Sequence, residues 1–228
     1  MSAMNIYALI MSGMIIFFAL ILSEKNDVLI NKIVFAISII MLVFNIYRLL
    51  YPVIVLDIVA IPIEFSAVSY IIVPIIFLFK IKKLKAWATY ASMMAGVFYF
   101  LVVILNGSNT YGDYPVYDVQ IAIFNHGAFL FLAVLKLKTI KFEKKEFKTI
   151  IIGLLSFSIY AFLLRPLNAD TERIFIYEVM DAKYIYDIFP YENTFILAIV
   201  FYIFLILALF LTIKVFYWLN KNKAVGHM

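Results

Sequence analysis

Apolar positions in this chain gather into runs of about 16 to 24 residues, separated by short polar clusters. A helix needs about 20 such residues to cross roughly 30 Å of hydrocarbon. The pattern therefore predicts seven spans, at about 5–23, 28–50, 62–80, 86–105, 118–136, 149–165 and 193–214. The expected fold is all-α, a seven-transmembrane helix bundle in which residues 1–228 form a single domain. The segment "YPVIVLDIVAIP" (51–62) breaks the pattern with two prolines and an aspartate. It is too short to cross and predicts a loop or a re-entrant piece packed on the bundle. The first apolar run has no basic stretch before it and no small-residue cleavage site, so it reads as a retained span.

Composition agrees with this pattern. The chain is 66% hydrophobic and 14% charged, with mean hydropathy +1.05; a soluble domain is nearer half apolar and a quarter charged. Charge then orients the bundle. The first, third and fifth loops and the C-terminal tail hold 15 of the Lys and Arg residues, against 4 in the other loops and at their borders. Basic residues are retained on the cytoplasmic side, which predicts an outer N-terminus, a cytoplasmic C-terminus and a multi-pass protein of the plasma membrane. The net charge of +5 follows from that asymmetry and needs no nucleic-acid partner. Trp87, Tyr217 and Trp218 fall where inner interface anchors belong. Tyr111, Tyr114, Tyr117, Tyr184, Tyr186 and Tyr191 fall on the outer side.

Ionisable groups at membrane depth mark cavities or pathways. Arg48 closes the second predicted helix at its outer end, with Glu64 as a possible partner at the rim. Glu64 and Ser66 lie within about two turns of the outer face on the third. Asn125 and His126 lie roughly 10–12 Å below the outer surface on the fifth. Arg165 and Asn168 end the sixth. Four helices thus bring their polar groups to one level in the outer half. Each residue also has a bland use: the arginines can snorkel, Ser66 can bond its own helix, Asn125 can bridge helices and His126 can be a satisfied core imidazole.

Several chemistries are unsupported. One interior histidine and no cysteine make no zinc or di-iron site of ordinary ligand number, so no metal or cofactor is expected. There is no lysine at the middle of the seventh helix for a Schiff base, no phosphate-binding glycine loop and no acidic chain of a proton pump. A hydroxyl, an imidazole and arginines at one depth fit acyl transfer, with the imidazole as base and the arginines on a phosphate.

At these residues a resemblance appears. "IPIEFSAVSYIIVPIIF" (61–77) resembles the Leu-Pro-Leu-His-Leu-Cys motif that opens a helix in YwaF-type bacterial integral membrane proteins. Those are relatives of the eukaryotic family typified by transmembrane protein 164, a seven-helix acyltransferase of ether phospholipids. "FNHGAFL" (124–130) resembles the His-Gly segment of the same family. The resemblance implies a catalytic pair at Ser66, in the place of the family cysteine, and His126. The chain departs from the pattern in having Ser for Cys and Glu64 for the motif histidine. The later Asn-Tyr-Met segment has no clear counterpart, although "NADTERIFIY" occupies its region.

Three functional expectations stay open. One is a membrane-embedded acyltransferase or lipid hydrolase acting on phospholipid or an acyl chain. Its nucleophile is Ser66 and its base His126, with Arg48, Glu64, Asn125, Arg165 and Asn168 around the substrate. Another is a non-catalytic receptor or carrier that takes an anionic or lipid ligand in an outward-facing pocket. The last is a bundle with no site. Membrane lipids are the expected partners.

Overall fold

The computed structural model describes residues 3–55, 61–110, 116–140, 142–167 and 194–221. Every regular element among them is helical: α1 (Ala3–Ser23), α2 (Asp27–Val55), α3 (Phe65–Leu78), α4 (Lys85–Asn106), α5 (Val116–Thr139), α6 (Lys144–Leu164) and α7 (Thr194–Lys221), with short 3-10 turns at Lys82–Leu84, Gly107–Thr110 and Arg165–Leu167. Six of the helices contain windows long and apolar enough to cross a membrane. Their outward residues are large and apolar, including Phe17, Ile40, Leu105, Phe162 and Phe204. In water such a surface would be an aggregation patch; in a bilayer it is the lipid-facing surface of a multi-pass protein.

Local chemistry sets the helix ends. Asn26 caps α2, its Oδ1 accepting from the Leu29 N–H at 2.9 Å. The α3 terminus closes with Lys80 in the left-handed region (φ 52°), while the Ile81 N–H reaches the Ile76 carbonyl at 3.0 Å. Gly107 ends α4 with φ 60°, a conformation that glycine adopts without steric penalty.

Two boundaries differ from the sequence expectation. The segment from 51 does not begin a loop: α2 continues through Pro52 to Val55. A proline in the last turn removes only one hydrogen bond of a ladder that is about to end. The third helix is shorter than expected, 14 residues from Phe65 to Leu78, or about 21 Å at 1.5 Å per residue. Residues 61–63 before it form no regular structure, and Glu64, its N-cap, has extended φ and ψ of −63° and 144°. Pro74 lies inside α3 and gives no N–H to the Tyr70 carbonyl.

The core is built on α4. Its small residues, Ala88, Ala91, Ser92, Ala95 and Gly96, are buried and admit neighbouring backbones, as at other membrane helix interfaces. At Gly96 the approach is closest: a Cβ there would lie 2.6 Å from the Leu130 backbone nitrogen of α5. Helix α1 packs on α4 and α5, and its Asn5 Nδ2 donates to the Ile104 carbonyl at 2.8 Å. Helix α2 packs chiefly on α3, and also on α5. Helix α6 meets α3 at Phe65–Phe157, and α7 meets α4 where Tyr90 Oη lies 2.8 Å from Thr212 Oγ1.

One residue assigned to the inner interface from sequence sits elsewhere. Trp87 is buried against Gly153 and, among the described residues, its indole N–H has no partner, so it is a packing residue and not an anchor. Lys136 lies on α5, within the predicted fifth span. Its stem is enclosed and its ammonium donates to Asn31 Oδ1 on α2 at 2.7 Å. Trp218 is exposed at 59%, as an interface residue requires, and Tyr117 at 63%. Tyr111, Tyr114, Tyr184, Tyr186 and Tyr191 lie outside the described residues.

Candidate functional site

His126 lies on the face of α5 that meets α3 and α4, and both ring nitrogens are engaged. Nδ1 is 2.8 Å from the Ala95 carbonyl, which can only accept, so Nδ1 carries the proton. Nε2, 2.7 Å from Tyr70 Oη, is then the acceptor, and the phenol donates. The Tyr99 ring stacks on the imidazole at 3.9 Å between centroids and 7° between planes. Helix α4 thus supplies the carbonyl and, one turn later, the stacking ring, while α3 supplies the phenol. The neutral imidazole is held in one tautomer.

Ser66 precedes Tyr70 by one turn of α3, so helical spacing places both on one face of that helix. Because the phenol proton points to His126, the phenol oxygen is free to accept from Ser66. The bonded order is Tyr70, His126, Ala95 carbonyl, with Ser66 one helical turn before Tyr70. The directly bonded Ser66–His126 pair expected from the resemblance is therefore not formed: Tyr70 stands between them and occupies the nitrogen that Ser66 would need.

Beside this chain lies a buried amide pair. Asn45 Nδ2 donates to Asn125 Oδ1 at 2.9 Å and Asn125 Nδ2 returns a bond of 3.1 Å to Asn45 Oδ1. Asn45 also donates to the Met41 carbonyl at 2.8 Å. The pair joins α2 to α5 at a depth where an unpaired amide would cost about 1–3 kcal/mol.

Between the end of α2 and the starts of α3 and α5 opens a cleft of about 670 Å³, within the range of small-ligand sites. Its α2 wall includes Asn45, Tyr47, Arg48 and Tyr51. Ile61 and Pro62 close one side, with Ala67, Tyr70 and Ile71 of α3 beside them and Tyr117 and Asp118 of α5 opposite. Tyr70 is the contact between this cleft and the histidine chain, since neither His126 nor Ser66 lines it. Arg48 Nη2 lies 4.0 Å from Asp118 Oδ1, with the two side chains 48% and 41% exposed. That is too long for a hydrogen bond, and an ion pair this exposed is worth about 0–1 kcal/mol.

The sequence-derived candidates separate as follows. Asn125 and His126 are buried neighbours on α5 but serve two networks. Arg48 lines the cleft, and its charged partner is Asp118, not Glu64. Glu64 is the N-cap residue of α3 without a side-chain cap bond. Its helix start is tied to α6 by the Tyr160 hydroxyl, which donates to the Pro62 carbonyl at 2.7 Å. Arg165 follows α6 at the same end of the bundle but does not line the cleft. Asn168 lies outside the described residues. Among the described residues no cluster of His, Asp and Glu is placed to hold a metal.

Tyr70, Asn45, Tyr99 and Asp118 are the site residues that sequence reasoning missed. Tyr70 follows Ser66 by four residues and Asn45 precedes Arg48 by three, so helical spacing places each on the face already singled out.

No family model, curated protein or solved structure matches this chain. The site's meaning rests on its own residues.

Proposed function

We propose that this protein is a membrane-embedded binding protein, a receptor or carrier, whose cleft takes an amphiphile by an anionic group. The observation that supports this most is the cleft itself, with Arg48 on its wall in a loose, half-exposed ion pair. A guanidinium with unused donors offers bidentate bonds to a phosphate or carboxylate. Apolar walls at Ile61, Ala67 and Ile71 receive the adjoining chain. On the charge asymmetry of the loops, the cleft faces outward. The test is binding of alkyl phosphates to purified protein in a neutral detergent. Arg48→Gln is expected to weaken binding by about 1.5–3 kcal/mol, the value of hydrogen bonds to charged groups. Ala67→Trp, which fills the cleft, is expected to abolish it. Binding that ignores both changes sinks the proposal.

A second reading is acyl transfer or lipid hydrolysis at Ser66, and the Tyr70–His126 hydrogen bond one turn along α3 favours it. As Ser66 attacks an acyl carbonyl, its proton passes to Tyr70 while the phenol proton passes to His126 Nε2; the ester C–O bond then breaks and the relayed proton goes to the departing lysolipid oxygen. The imidazole then acts as base through one intermediary. Lysolipid release from phospholipid, measured with Tyr70→Phe and His126→Ala, decides it. Turnover that persists in either variant excludes this route.

A further inference from the structure

The cleft carries a second charged group that an anion-binding site does not need. Asp118 stands on α5 opposite Arg48 on α2, so opposite charges face each other across the space a ligand would enter. Their 4.0 Å separation leaves both hydrogen-bonding sets unused, and among the described residues neither side chain has another partner. For a purely anionic ligand Asp118 is a defect: it repels the incoming charge and competes for Arg48. Four tyrosines share the same walls, Tyr70 and three near the charges. Tyr117 adjoins Asp118 in the chain, Tyr47 adjoins Arg48, and the Tyr47 and Tyr51 rings lie 5.7 Å apart. A carboxylate beside phenol rings is the arrangement that receives an ammonium, by charge and by cation–π attraction.

We infer that the ligand is a zwitterion, its anionic group on Arg48 and its ammonium on Asp118 and the neighbouring tyrosines. The inference rests on the binding reading above and names its ligand class. Such a ligand exchanges one loose ion pair for two closer ones and leaves neither charge unpaired. Both sources of this chemistry, a lipid headgroup and a free small zwitterion, fit the cleft.

The test titrates short probes that stay monomeric into the full chain held in a neutral maltoside detergent, with protein-free detergent as the blank. The probes are hexylphosphocholine, hexyl phosphate and phosphocholine without a chain. The wild-type protein is expected to bind hexylphosphocholine at least about ten-fold more tightly than hexyl phosphate. Asp118→Asn, nearly isosteric, is expected to bring that ratio close to one. Arg48→Gln is expected to weaken both probes. Unchanged thermal unfolding of each variant establishes that it is folded, and Asp118→Glu, which keeps the charge, is expected to restore the preference. Equal binding of the two hexyl probes by wild type, lost in Arg48→Gln, overturns the zwitterion while leaving the binding reading intact. No binding above the blank overturns both. Chain-free phosphocholine binding as tightly as the hexyl probe supports a free zwitterion; binding of the hexyl probe alone supports a headgroup.

Discussion

Tyr70 Oη donates a 2.7 Å hydrogen bond to His126 Nε2, and that direction is fixed from the far side of the ring, where Nδ1 gives its proton to the Ala95 carbonyl. Tyr70→Phe removes the donor and leaves a buried nitrogen unsatisfied, at a cost of about 1–3 kcal/mol. His126→Leu orphans the phenol in the same way. The double variant is expected to be less destabilised than the sum of the two. A double-mutant cycle of thermal unfolding in detergent checks this, and strict additivity would contradict the bond.

The amide pair makes a parallel prediction. Asn45→Leu or Asn125→Leu alone strands the other amide in the bundle, with an expected loss of about 1–3 kcal/mol. Replacing both is expected to recover most of it, because two apolar groups need no partner. Membrane-embedded pairs can couple weakly, near 0.6 kcal/mol. A coupling no larger than that would mean water or another group serves the stranded amide.

At Gly96 the prediction is steric. A methyl group there meets the Leu130 backbone, which has no rotamer to yield with. Gly96→Ala should therefore push α4 and α5 apart and lose about 1–3 kcal/mol as overpacking does. Gly13→Ala, with nothing within 4 Å of the new Cβ, is the control. It should gain up to about 1 kcal/mol of helix propensity. The two melting temperatures should move in opposite directions.

Trp87 and Gly153 should show rescue. A Cβ at 153 would overlap the indole ring, so Gly153→Ala alone is expected to be severe. Trp87→Leu removes the ring and its unpartnered N–H together. The pair Trp87→Leu with Gly153→Ala should melt well above Gly153→Ala alone. Failure of that rescue would place the strain elsewhere.

Much of this was legible in the chain, for reasons that differ by element. Six helices long and apolar enough to cross a membrane could be read because hydrocarbon thickness imposes a run length on sequence. The brevity of α3 could not, because Pro62 and Ile63 let the apolar run begin early although their backbone is not helical. His126, Asn125 and Arg48 stood out as costly residues at depth. Tyr70 and Tyr99 did not, since tyrosine is ordinary in membrane helices and only packing reveals which one reaches an imidazole. Trp87 was misplaced because an interfacial tryptophan and a buried one occupy the same place in sequence; the glycine opposite it, on α6, decides. Arg48's true partner was hidden because Asp118 is remote in sequence, whereas Glu64 was near.

The short α3 has a consequence for the lipid around the protein. Its 14 residues reach about 21 Å, well short of roughly 30 Å of hydrocarbon, and the cleft begins where the helix is missing. Irregular backbone at membrane depth is tolerated only against protein or water. Tyr160 serves the Pro62 carbonyl, and water at the cleft mouth beside Ile61 would make it a notch in the apolar girdle. A thick bilayer would bring acyl chains over that notch and a thin one would bring headgroups and water to it. Ligand affinity should therefore rise or fall with acyl length in reconstituted bilayers, and affinity that is flat across chain lengths would show that the notch lies clear of the hydrocarbon. Occupancy of the site becomes, in that sense, a property shared between the protein and the membrane it sits in.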